Sequence, residues 1–204
     1  MDKKSSINQN QVLKVSETFL PTKFGNFQIN AYWSSLDKQH HLTLVAGDVY
    51  QKKNVLVRIH SSCVTGDIFA SYRCDCGEQL EKSMKIISKT NGVIIYLSQE
   101  GRGIGLVSKI QAMNLQEMGI DTVEANLALG QPVDNRNYES AAEILKDLKI
   151  KSIRLLTNNP IKIKELKNLG VKVISQEPLH TRINNYNKRY LLTKKDKFGH
   201  LLKI

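Results

Sequence analysis

All three cysteines of the chain, Cys63, Cys74 and Cys76, fall within fourteen residues. Three thiolates can bind a zinc ion and leave its fourth tetrahedral position to an exchangeable water. Zinc held this way lowers the pKa of water to about 7 and so supplies a nucleophile at neutral pH. Two plainer readings stand beside it: ordinary buried thiols, or a structural site closed by a fourth ligand such as His60. The cluster is interspersed with Asp67, Arg73 and Asp75, which is unlike a core strand. An odd cysteine count argues against a disulfide scaffold and for a reducing, cytoplasmic setting.

Three other segments carry candidate chemistry. The run Gln99-Glu100-Gly101-Arg102-Gly103-Ile104-Gly105 lies between an expected strand and an expected helix, where glycines let backbone N–H groups approach an anion. Such turns are common, and neither a dinucleotide fingerprint nor a Walker-type phosphate loop is complete here. In Thr157-Asn158-Asn159-Pro160-Ile161-Lys162, the lysine sits in a first helical turn whose dipole favours negative charge. An ordinary N-cap with a solvated lysine explains the same text. Asp134 and Arg136 share a loop, as a surface ion pair or as a base beside an anion clamp.

The elements that must position these residues form a mixed pattern. From Phe19 to Ile59 the chain alternates as strands do, with Phe27, Ile29 and Ala31, then Leu42, Leu44 and Ala46, then Val55, Val57 and Ile59. This quarter reads as antiparallel β. Leu80, Met84 and Ile87 are spaced for one helix face, and Leu106, Ile110 and Met113 for another. A further helix is expected from Glu139 to Leu148. Ile153–Thr157 and Val171–Ile174 read as strands flanking a helix capped by Asn158 or Asn159 and stopped by Gly170. The fold class is therefore α/β, a mixed β-sheet flanked by helices with an antiparallel β N-terminal portion. Residues 1–15 are expected to fray, 16–180 to form one catalytic domain, and 181–204 to be a basic, peripheral segment.

The chain has 204 residues, 41% hydrophobic and 24% charged, which excludes wholesale disorder. Thirty Lys and Arg against 19 Asp and Glu give a net charge of +11, which favours an anionic partner. No apolar run is long enough to span a bilayer, and the polar start MDKKSSINQNQ does not read as a secretory signal.

Taken in order, VRIHSSCVTGD, RCDCGEQL, QEGRGIGL, DTVEANLALG and RLLTNNPIKI closely resemble GTP cyclohydrolase II. The resemblance runs from about Leu20 to the final GHLL. The fused dihydroxybutanone phosphate synthase domain of bifunctional versions is not expected in this length. The resemblance implies a homodimeric zinc hydrolase that opens the imidazole ring of GTP at C8. Formate and pyrophosphate leave, and magnesium assists with the triphosphate. It implies zinc on Cys63, Cys74 and Cys76. It implies GTP contacts by Arg58, Ile59, His60, Ser61 and Ser62, by Gln79, by Glu100, Gly101 and Arg102, and by Thr122, Thr157 and Lys162. Asp134 is the implied proton acceptor. Arg136 is the implied nucleophile at the α-phosphate, although a protonated guanidinium suits a charge clamp better.

The chain departs from the family's usual text at three places. Ser62 stands for Glu, Asn137 for an acidic residue and Met113 for Tyr. A thioether cannot donate the proton that a phenol can, so Met113 is a candidate determinant of the product. Two rival readings remain: a diverged paralogue that stops at a formylamino pyrimidinone, and a basic zinc-containing nucleic-acid-binding module built on Lys188–Lys197. The lack of any nucleic-acid-binding signature counts against the second.

Overall fold

The computed structural model describes residues 11–202. Seven strands form one sheet: β1 (Val12–Thr22), β2 (Gly25–Ser34), β3 (Gln39–Ala46), β4 (Val55–Ser61), β5 (Gly92–Leu97), β6 (Ile153–Leu156) and β7 (Val173–Glu177). Their order is β1-β2-β3-β5-β4-β6-β7. Seven helices accompany it: α1 (Val64–Asp67), α2 (Cys76–Ile87), α3 (Leu106–Glu117), α4 (Thr122–Ala128), α5 (Glu139–Asp147), α6 (Pro160–Asn168) and α7 (Lys188–Phe198), with a 3-10 turn at Glu100–Gly103.

The sheet is antiparallel from β1 through β3 to β5, and parallel among β5, β4, β6 and β7. β4 therefore belongs to the parallel half, not to the antiparallel quarter that its alternation suggested. Helices cover both of its faces, so six of its seven residues are buried. Val57 and Ile59 pack with Val93, Ile95 and Leu97 of β5 in one core cluster. Leu56 faces the other way, against Phe27, Ile87 and Ile94. On that second face the next residues are Arg58 and His60, both buried. Charged side chains inside a central strand need partners or a ligand.

Three expectations change here. In β3 the fully buried side chains are His41 and Thr43, while Leu42 is 38% exposed. The polar pair is accommodated because Asn30 donates to Thr43 Oγ1 at 2.8 Å and His41 Nε2 meets Asp37 at 3.0 Å. The frayed segment was drawn too long. Residues 1–10 lie outside the described residues, but Val12–Val15 already belong to β1, where Val12, Leu13 and Lys14 pair with Ser34, Trp33 and Tyr32 of β2 and Val15 sits at a bulge. The basic C-terminal segment is not peripheral: α7 buries Leu191 and Lys194.

The last βαβ unit follows its sequence signals. Asn159 caps α6 by accepting from Ile161 N–H at 2.9 Å, Pro160 occupies the first turn, and Gly170 stops the helix at φ 82°. β5 and β6 flank β4 on opposite sides. The C-terminal ends of these parallel strands consequently open on one crevice, where ligands of α/β sheets bind.

Candidate active site

Cys63 follows β4 and precedes α1, Cys74 sits in the next turn, and Cys76 opens α2. Their sulfurs lie within 4.8 Å of one another, with 3.8 Å between Cys63 and Cys74. Two tetrahedral zinc ligands at about 2.3 Å stand about 3.8 Å apart, so the spacing fits that ion. The cradle needs glycine. A Cβ on Gly66 would lie 2.9 Å from Cys74 Sγ and 3.2 Å from Cys63 Sγ, and one on Gly77 would lie 2.2 Å from Gly66 O.

His60 is not a fourth ligand. Its Nε2 pairs with Asp67 at 3.1 Å. Asp67 also accepts from the Cys63 N–H and the Tyr96 hydroxyl, both at 2.9 Å. Among the described residues the metal-competent cluster is the three thiols alone. Cys74 and Cys76 donate to Cys63, and Lys109 Nζ stands 3.1 Å from it, so the Cys63 pKa falls far below the usual thiol range. The same sharing, with burial, pushes Cys74 up to about 11.

The sulfurs open on a pocket whose wall carries Arg58, Arg73, Arg102, Lys109, Arg136, Lys162 and Lys194, against the single carboxylate of Glu100. Lys162 donates to Ile59 O at 2.7 Å. Burial, followed by the Arg58 and Arg136 charges, pushes the Lys162 pKa well down. Arg136 makes a two-pronged pair with Asp134. Burial opposes its charge, but the Asp134 hydrogen bond prevails and raises its pKa further. Arg58 Nε, Ser61 Oγ and Arg102 Nη1 are buried without a partner, three unmet polar atoms in one wall.

Most of the residues singled out in the sequence meet here: Arg58, His60, Ser61, Ser62, Gln79, Glu100, Gly101, Arg102, Met113, Arg136, Thr157 and Lys162 all line the pocket with the cysteines. Ile59 instead buries its side chain in the core and offers only its carbonyl, which Lys162 takes. Asp134 stands outside the lining and holds Arg136. Thr122 opens α4, and its side chain lies outside the described residues.

The Glu100 carboxylate already accepts from Val64 N–H at 2.6 Å, Gly101 N–H at 3.0 Å and Lys109 at 2.8 Å. It orients the backbone after Cys63, and only its remaining lone pairs are free to read a base. Met113 is not a core residue in step with its stripe, because Leu106 and Ile110 are 43% and 47% exposed. Lys109, Tyr190, Phe198 and His200 line the site and were not singled out, and Lys194, read in the sequence only as part of a basic segment, lines it with them. The spacing Tyr190, Leu191, Lys194, Phe198 marks one helix stripe. That signal was hidden by the charge around it.

The mixed α/β sheet thus brings three thiols and a ring of cations together at the carboxyl edge of its parallel strands, as one candidate active site. The family model for GTP cyclohydrolase II matches residues 13–178, and the chain belongs to that family. It is 50% identical over 195 residues to riboflavin biosynthesis protein RibBA of Chlamydia trachomatis, covering 95% of this chain and 46% of that protein. It is 49% identical over 192 residues to RibBA of Chlorobium phaeovibrioides, covering 94% and 47%. RibBA of Bacillus cereus is 50% identical over 194 residues, covering 95% and 49%. The chain thus spans about half the length of the curated relatives it matches. A solved two-domain 3,4-dihydroxy-2-butanone 4-phosphate synthase, RibBX from A. baumannii, is 18% identical with a TM-score of 0.48, covering 86% of this chain and 42% of that one.

Proposed function

We propose that this chain opens the imidazole ring of GTP at C8 and releases pyrophosphate, for riboflavin synthesis. One observation supports the reading above the rest: three thiols with zinc-ligand spacing face the same pocket as seven cationic side chains. Cys63, Cys74 and Cys76 would hold zinc, which supplies Lewis acidity and brings the pKa of water into the neutral range. Magnesium accompanies the triphosphate.

The chain's own groups do the rest. Arg58, Arg102 and Lys162 bind phosphate oxygens. Arg136, kept charged by Asp134, stabilises the charge on departing pyrophosphate. A guanidinium with a raised pKa is no nucleophile, which supports the clamp role. Edge strand β1 exposes Leu13, Val15 and Phe19, apolar surface that a second copy would cover in a homodimer. The nucleic-acid reading loses ground because Lys194, part of its basic segment, is buried against Asp75.

Lys162→Ala is expected to weaken GTP binding by about 1.5–3 kcal/mol, the scale of a charge-assisted hydrogen bond, and guanosine binding far less. Calorimetry with both ligands checks it. Equal losses would remove Lys162 from phosphate recognition.

The product depends on Met113, which lines the pocket beside the thiols. Two hydrolytic events at one carbon are needed for formate. The first opens the ring and leaves a formamide, and the second cleaves that formamide. Each needs a proton delivered to the leaving nitrogen, and such help is worth about 10²–10⁴ in rate. The amide nitrogen leaves poorly without it. The formylamino pyrimidinone phosphate is therefore expected to accumulate, with pyrophosphate and little formate. Met113→Tyr should restore some formate. Mass analysis of the product with a formate assay decides, and stoichiometric formate from the unaltered chain would reduce Met113 to a packing residue.

A further inference from the structure

The family match ends at residue 178, but the pocket continues beyond it. α7 closes over the crevice, and three contacts among others hold it and the turn after it against the pocket wall. Lys194 Nζ meets Asp75 Oδ1 at 2.6 Å, with both side chains buried. The Arg102 guanidinium lies 4.3 Å from the Phe198 ring centre. Leu201 N–H donates to Asn158 O at 2.9 Å.

Between the last two anchors the chain turns sharply. Gly199 adopts φ 63°, a left-handed helix end that glycine takes at little cost. His200 N–H then donates back to Lys194 O at 3.1 Å. This turn sets the His200 side chain in the pocket wall with Arg102, Arg136, Lys162 and Lys194. Burial and those four cations hold its imidazole down to about 3, so it is neutral. Its ring makes no hydrogen bond to the protein among the described residues. Lys194 and Lys162 are engaged, with Asp75 and the Ile59 carbonyl respectively. His200 is thus a free donor in a strongly positive corner.

We propose that α7 and the turn after it form a wall of the triphosphate site, in which His200 donates a hydrogen bond to a phosphate oxygen of the bound nucleotide. This inference rests on the GTP reading above. The donor adds direction to a site whose cations already supply attraction.

The test measures binding of GTP, inorganic triphosphate and guanosine to the full chain by calorimetry, with thermal unfolding recorded for each variant. His200→Ala is expected to weaken GTP and inorganic triphosphate about tenfold and to leave guanosine and the unfolding temperature unchanged. His200→Gln keeps an N–H donor and should regain most of the loss. Lys162→Ala serves as the reference for phosphate recognition. If Lys162→Ala weakens both polyanions and His200→Ala weakens neither, the His200 role is overturned while the GTP reading stands. If His200→Ala lowers guanosine affinity as much as GTP affinity, the residue is structural and the inference also falls. If the unaltered chain binds neither GTP nor inorganic triphosphate, both fall together.

Discussion

Cys74→Ser is expected to lose bound metal and ring-opening activity together. The serine hydroxyl stays protonated at neutral pH, so an anionic soft ligand becomes a neutral hard one. The two remaining thiols cannot complete the set, since His60 is turned to Asp67 and no other His, Asp or Glu joins the cluster among the described residues. Folding should survive. Cys74 is half-buried, and the cradle around Gly66 loses only the difference between a sulfur and an oxygen. Metal analysis of the purified variant beside its far-ultraviolet dichroism checks this. Full metal occupancy with full turnover would remove the cysteine cluster from the chemistry.

The second large effect is on stability. Lys194→Met leaves Asp75 as a carboxylate 1% exposed with its cation gone. Breaking one side of a buried pair costs about 3–5 kcal/mol, because the surviving charge stays desolvated. Gln79 Nε2 at 2.6 Å and Thr181 Oγ1 at 3.3 Å still donate to Asp75 and keep the loss within that range. Lys194→Met combined with Asp75→Asn should recover part of it, since no net charge is then buried. Urea unfolding of the unaltered chain and the two variants gives the comparison. A loss below about 1 kcal/mol for Lys194→Met would mean that the pair is solvent-screened, as exposed pairs are. Asp75 stands between Cys74 and Cys76, so the same pair ties α7 to the thiol centre.

The residues that do chemistry were largely legible because their types are rare and their spacing tight. Three cysteines with no fourth, and a glycine-rich loop ahead of a helix, declare themselves in the sequence. The N-cap at Asn159 and the stop at Gly170 were legible for the same reason, since local turn chemistry dictates them.

Long-range pairing was harder to read. β4 looked like one more antiparallel strand, and only its placement between β5 and β6 makes it the central parallel strand. His41 and Thr43 were read as facing water because alternation assumes that polar side chains do; Leu44 and Ala46 pack in a core cluster as their alternation suggested, but the opposite face of β3 is covered too. Here Asp37 and Asn30 satisfy them inside. α7 was hidden by its lysines. Charge reads as solvent exposure unless a partner is known, and Lys194's partner lies 119 residues earlier.

The most direct test of the central claim follows the carbon that should react. GTP labelled with carbon-13 at C8 is incubated with the metal-loaded chain and magnesium, and the label is followed by nuclear magnetic resonance. The label is expected to leave the imidazole position and appear as a formamide, with formate minor until Met113→Tyr is introduced. A label that stays in the intact ring, whether or not the phosphates are hydrolysed, would contradict the assignment of the thiol-lined pocket as a ring-opening site.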